Sequence, residues 1–290
     1  MYPSSAIFAS DPLVPLHAVR SSEIPIFCIP GAGASVTAFN EFFDALGARW
    51  PVYGLQPRGI DGAEQPHQSV EAAALYNLGA LAQLNFNGPI HLLGHSYGGL
   101  VAFDMALRLQ KQKRSVASLT LIDTEPPETP HEAGTSHIFN QFVGVFESIF
   151  DRTLYVNETI IASCEIELFI SNLHAALVKA RCLPARSTPD VLRGSLATFA
   201  AACRTTYVPH GLYTGKLHLV LVSAACRNKS FNDDVTRQRA AYAVQWRRWA
   251  AELDVWYGPG HHFSILQVPH VRSLATWWRQ ARDLESAPGT

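Results

Sequence analysis

Gly94-His95-Ser96-Tyr97-Gly98 is the stretch that organises the whole chain. Ahead of it Ile90-His91-Leu92-Leu93 reads as a short strand, set off by the breaker Asn87-Gly88-Pro89. Behind it a helical stretch, 100–109, turns Val101, Met105 and Leu109 to one side. A Gly-x-Ser-x-Gly turn between a strand and a helix is the setting in which a serine becomes a nucleophile, because the sharp bend exposes its hydroxyl. Such a bend needs small neighbours, and Gly94, Gly98 and Gly99 supply them. The N–H groups that open the following helix favour the negative charge of a tetrahedral intermediate.

Working outward, the same rhythm repeats. Upstream, an apolar run at 24–29 empties into Pro30-Gly31-Ala32-Gly33. Phe39, Phe42, Phe43 and Leu46 then recur at helical spacing, 51–56 reads as a strand closed by Pro57-Arg58-Gly59, and 70–84 reads as a helix. Downstream, 116–122 is an apolar strand ending at Asp123. Strands alternating with helices predict an α/β fold with a mostly parallel sheet flanked by helices, whose ligands sit at the carboxyl ends of the strands. From 126 to 209 the strand signal stops, and helical stretches at 138–150, 164–182 and 191–207 predict a helical insertion. Thr188-Pro189-Asp190 has the form of a helix start. The rhythm resumes with a strand at 217–223, a helix at 234–249, a strand at 253–257 and a helix at 271–284. Residues 1–22 read as a linker or N-terminal arm, and 23–290 as one domain.

Composition narrows the function. With 48% hydrophobic and 16% charged residues the chain reads as globular, and 23 basic against 24 acidic residues leave no excess for gripping nucleic acid or a membrane surface. No apolar run approaches the roughly 18 residues of a membrane helix, and the first residues lack the pattern of a secretory signal. Cys28, Cys164, Cys182, Cys203 and Cys226 are odd in number and lack zinc-site spacing, so no metal and reduced thiols in a cytoplasmic setting are expected.

A serine hydroxyl needs a general base and a group to orient that base, in the chain order serine, acid, histidine for this turn. Asp123 is the expected acid, because it lies at the carboxyl end of the strand after the serine strand. The other position for an acid, at the end of 217–223, runs into Ser223-Ala224-Ala225 with no carboxylate before Asp233 and Asp234. The base falls in Gly258-Pro259-Gly260-His261-His262-Phe263, where two histidines compete. His95, inside the turn, is expected to pack locally. An oxyanion hole would draw on the backbone N–H groups of Tyr97 and Ala32. The Gly31–Gly33 loop has neither GxGxxG nor a GK[ST] ending, which argues against nucleotide binding.

These segments together, 26–33, 52–59, 88–99 and 119–123, resemble the releasing (type I) thioesterase domains of non-ribosomal peptide and polyketide synthases, members of the α/β-hydrolase superfamily. The resemblance runs from about Leu13 onward and is weakest in the insertion, which in that family is a variable lid, implying a helical lid insertion over about 128–186 here. The family's Gly-x-His pattern maps onto Gly260-His261-His262-Phe263-Ser264-Ile265-Leu266 and selects His262 as the base. Leu13-Val14-Pro15-Leu16 is similar to the linker that follows a carrier domain. The resemblance implies an acyl or peptidyl carrier protein as partner, with an acyl chain held as a phosphopantetheine thioester. It further implies an acyl-enzyme on Ser96, release by hydrolysis or macrocyclisation, and no cofactor bound by the domain itself. A free-standing proofreading (type II) thioesterase and a general carboxylesterase would share this chemistry. A catalytically retired binding protein would not need Ser96, Asp123 and His262 intact.

Overall fold

In chain order the strands are β1 (Leu13–His17), β2 (Ile26–Ile29), β3 (Val52–Leu55), β4 (Ile90–His95), β5 (Val116–Ile122), β6 (Tyr213–Val222) and β7 (Ala250–Gly258). They form a seven-stranded sheet in the order β1-β3-β2-β4-β5-β6-β7. All neighbouring pairs are parallel except β1 with β3. This computed structural model describes residues 12–17, 22–84, 86–129, 134–222, 224 and 235–286.

The helices are α1 (Asn40–Leu46), α2 (Val70–Gln83), α3 (Tyr97–Lys111), α4 (Thr135–Phe150), α5 (Glu158–Ser163), α6 (Ile166–Lys179), α7 (Arg193–Cys203), α8 (Val235–Trp246) and α9 (His270–Ser286). Strand periodicity divides the core between the two faces of the sheet. Phe27 and Ile29 of β2, with Leu217, Leu219 and Leu221 of β6, pack toward α2, α3 and α8. Ile26 and Cys28, with Val220 and Val222, face the opposite way toward α1 and α9. Because both faces are covered, β2 is apolar at every position and β6 is apolar on both faces from Leu217 to Val222 apart from the buried His218, instead of alternating. Each fully buried Leu, Ile or Phe contributes about 1.5–3 kcal/mol relative to exposure, so the two apolar layers hold the sheet and therefore its carboxyl rim.

Between β5 and β6 a third apolar cluster joins Ile138, Phe139 and Phe142 of α4 with Phe169, Leu173 and Leu177 of α6 and Leu196 and Phe199 of α7. The helical insertion therefore continues past residue 186: α7 buries its apolar side in the same cluster, after a 3₁₀ turn at Pro189–Leu192 that starts where Thr188-Pro189-Asp190 predicts. The stretch read as one helix over 164–182 begins later, at Ile166. Cys164 takes a left-handed conformation (φ 58) and ends α5, two residues before α6 begins. Within the residues read as an arm, Leu13–His17 is an edge strand paired with β3, and only 12–17 and 22 of that arm lie among the described residues. Cys28, Cys164, Cys182 and Cys203 are free thiols, and Cys226 lies outside the described residues. No described helix is long and apolar enough to cross a membrane.

Candidate active site

β4 ends at His95 and α3 begins at Tyr97, so Ser96 alone makes the bend. It does so at φ 53 and ψ −127, a conformation that costs a non-glycine residue on the order of 1–3 kcal/mol. Backbone bonds hold it there: Ser96 N–H donates to the Ile122 carbonyl at 2.8 Å, and Gly99 N–H donates to the Ser96 carbonyl at 2.9 Å. A methyl group on Gly98 would collide with the Ile29 and Pro30 carbonyl oxygens, and one on Gly99 with the Thr124 side chain. The end of β2 thus lies directly against the bend, and a Cβ on Gly31 would stand 3.2 Å from Ser96 Cβ.

Asp123 follows β5 and is also left-handed, at φ 45. Its N–H donates to the Val220 carbonyl at 2.7 Å, and its carboxylate is buried. Oδ1 accepts from the Val222 N–H at 3.3 Å, while Oδ2 accepts from His262 Nδ1 at 2.6 Å and from Arg239 Nη2 at 2.8 Å. Burial alone would raise the acid's pKa. The hydrogen bond and charge of His262, with the Arg239 guanidinium, outweigh it and hold the carboxyl below its usual range. With Nδ1–H spent on Asp123, a neutral His262 presents Nε2 as an acceptor.

Of the two candidate histidines, the structure brings His262 to Asp123. His261 Nδ1 instead accepts the backbone N–H groups of Phe263 and Ser264 at 3.3 and 3.4 Å and closes the turn. His95 has a more distant partner than its position suggests: its Nε2 donates to the His262 carbonyl at 2.8 Å, and the two rings lie 4.8 Å apart. Burial pushes the pKa of His95 down to about 3, so it is a neutral prop for the loop that carries His262.

Ser96, Asp123, His262, Ala32 and Tyr97 all line one cavity of about 680 Å³, within the size range of small-molecule sites. Phe142, Phe146 and Ile149 of α4 and Phe199 of α7 give it an apolar roof. Gln238, Arg239 and Tyr242 of α8, with Glu125, make one wall polar. Sequence reasoning missed that wall. On α8, Arg239, Tyr242 and Trp246 fall at helical spacing and bind three successive residues after β5: Arg239 to Asp123, Tyr242 OH to Glu125 Oε1 at 2.9 Å, and Trp246 Nε1 to the Thr124 carbonyl at 3.1 Å. The spacing is visible in the chain, but its partner lies more than a hundred residues away. Ser223, Asp233 and Asp234, weighed as the alternative acid position, lie outside the described residues. Among the described residues no three His, Cys, Asp or Glu side chains gather as metal ligands.

Comparison with known proteins gives this geometry its family. Over an alignment 305 positions long the chain is 26% identical to chondramide synthase cmdD of Chondromyces crocatus, covering 99% of this chain and 7% of that protein. The chain therefore spans a small part of the length of that relative. Its fold is similar to that of the Vlm2 thioesterase domain (TM-score 0.65, 21% identity, 92% of this chain and 96% of that one). It is also similar to that of the type II thioesterase BorB from the borrelidin biosynthetic cluster (TM-score 0.64, 18% identity, 96% of this chain and 100% of that one). The family model described as thioesterase domain matches residues 24–278, nearly the whole described fold, and the chain belongs to that family.

Proposed function

We propose that this domain releases an acyl, peptidyl or polyketide chain from the phosphopantetheine thioester of a carrier protein, through an acyl-enzyme on Ser96. The observation that carries the reading is the 2.6 Å bond between His262 Nδ1 and the buried Asp123 carboxylate, at the edge of the cavity that Ser96 lines. In this reading His262 Nε2 takes the Ser96 proton as the oxygen attacks the thioester carbonyl. The tetrahedral oxyanion rests on the N–H groups of Tyr97 and Ala32, worth about 2.7–4 kcal/mol for one such donor. The C–S bond then breaks and the proton passes to the departing pantetheine thiolate. Water, or a hydroxyl or amine of the acyl chain itself, attacks the Ser96 ester with His262 again as base, giving the free acid or a ring. Asp123 fixes the imidazole tautomer and stabilises its cation. The domain binds no cofactor of its own, since phosphopantetheine arrives with the carrier.

The aromatic roof supports a large, partly apolar acyl group held away from water. The experiment compares kcat/KM for matched acyl chains presented as a carrier-bound thioester, a pantetheine thioester and an ethyl ester, with product masses recorded. The proposal expects the carrier-bound thioester to lead. An ethyl ester turned over as well as the carrier-bound thioester would make the chain a general carboxylesterase and overturn the proposal. Rapid clearance of acetyl carriers with little turnover of long chains would make it a proofreading enzyme.

A further inference from the structure

We infer that Arg239 is a positioning residue for the reaction proposed above, one that anchors the Asp123 carboxylate and offsets part of its charge so that His262 is kept available as a base. The inference rests on the Ser96-Asp123-His262 reading. Its ground is geometric. One carboxylate oxygen, Oδ2, carries two donors: His262 Nδ1 at 2.6 Å and Arg239 Nη2 at 2.8 Å. The Arg239 side chain is only 11% exposed, and its Nε is buried with no hydrogen-bond partner among the described residues, a cost accepted at this position. The guanidinium lies 5.1 Å from the centre of the Tyr242 ring, whose hydroxyl is tied to Glu125. The arginine is thus braced by its own helix against the segment that carries the acid.

Other charged and titratable groups surround the pair. His95 comes from the end of β4 and Tyr242 from α8, with Glu125 behind the latter. His261 precedes His262 and itself feels Asp151 at the end of α4 and His270 of α9. His137 of α4 and Cys203 of α7 line the same cavity. His95 is neutral, with its pKa pushed down to about 3 by burial, and burial likewise lowers that of His261. Among the described residues Arg239 is the Lys or Arg side chain in hydrogen-bond contact with the acid. A fixed positive charge there offsets part of the pull of the carboxylate on an imidazolium. Removing that charge has the opposite sign: the imidazolium persists higher, and the acid limb of the rate profile moves up.

The readout is the rate at which a fluorophosphonate labels Ser96 in the full chain, followed from pH 4.5 to 9, because this reagent reports the serine and its base without needing the natural acyl chain. Arg239→Gln keeps an amide donor and loses the charge, Arg239→Met loses both, and Arg239→Lys keeps the charge. The expected result is an acid limb displaced upward by about one pH unit in the Gln and Met variants, on the scale of a single nearby charge. The plateau should be lowered most in Met, and Lys should restore the wild-type limb. Thermal unfolding of each variant separates this from lost stability, and Gln serves if Met fails to fold. Limbs of the Gln and Met variants that superimpose on wild type overturn the inference, whatever the loss in rate. Equal labelling of a Ser96→Ala variant would instead overturn the serine reading beneath it.

Discussion

Ser96 and Asp123 share a feature that composition could not announce: both are non-glycine residues at positive φ, 53 and 45. Each ends a strand at the carboxyl rim, and each is locked by a backbone bond to a neighbouring strand, Ser96 to Ile122 and Asp123 to Val220. Strain of this kind persists where surrounding structure over-determines it, and here it aims a hydroxyl and a carboxylate at one cavity. Asp123→Asn should leave the fold intact and reduce acyl transfer on the order of 10⁴-fold, the loss seen in serine proteases when the orienting acid can no longer fix the tautomer. Steady-state kinetics beside circular dichroism checks it, and a loss under tenfold would remove Asp123 from its proposed role. Gly98→Ala should behave differently. Its methyl group meets the Ile29 and Pro30 carbonyls, so the bend must shift, and both thermal stability and labelling of Ser96 should fall together.

At the scale of elements, the helical insertion, the lid we propose, stands apart from the sheet by its own apolar cluster, in which Phe139 of α4 stacks on Phe169 of α6 with ring centres 3.9 Å apart. Phe169→Ala should cost about 3–5 kcal/mol of lid stability. Hydrogen exchange should show lost protection in α4 and α6 while β4, β5 and β6 stay protected; uniform loss across the sheet would contradict a separately packed lid. The sequence was informative wherever period and punctuation agree. The breaker at Asn87-Gly88-Pro89, the short stretch 90–93 and the glycines around Ser96 place β4, the bend and α3, because a run that short between Gly and Pro breakers leaves no room for a helix. Legibility failed where the deciding contact is distant. Leu13–His17 reads as an arm, since only pairing with β3 makes it a strand, and the helix that apolar content alone starts at 164 begins at Ile166, because the left-handed Cys164 caps the short α5, which the sequence reading did not include. The site followed the same rule. Asp123 and the histidine pair could be located from strand ends, whereas Arg239 and the contact of His95 with the His262 carbonyl depend on how β4, α8 and the last loop converge.

For the whole molecule, burial of histidines on the sheet sets an acid limit. Burial, with Arg282 nearby for His91 and His262 for His95, pushes both pKa values down to about 3, well below 6.5 in an unfolded chain. The unfolded state therefore takes up protons first as pH falls, and stability declines from about pH 6.5 toward 3, each histidine contributing up to about 1.4 kcal/mol per pH unit. Urea unfolding at stepped pH should show this slope, and His91→Gln should flatten it; an unchanged slope would contradict the burial argument. Above pH 7 both histidines are neutral in either state and the effect vanishes. For His95 the link to the proposed chemistry is direct: the buried ring donates to the His262 carbonyl and so braces the loop beside the cavity that Ser96, Asp123 and His262 line. The most direct test of that chemistry is intact-protein mass spectrometry after mixing with an acyl-pantetheine thioester. The account predicts a mass increase equal to the acyl group, located on Ser96, with pantetheine released in equal amount and no adduct on Ser96→Ala. A Ser96→Ala variant that acquires the acyl group or hydrolyses the thioester as fast as wild type would contradict it.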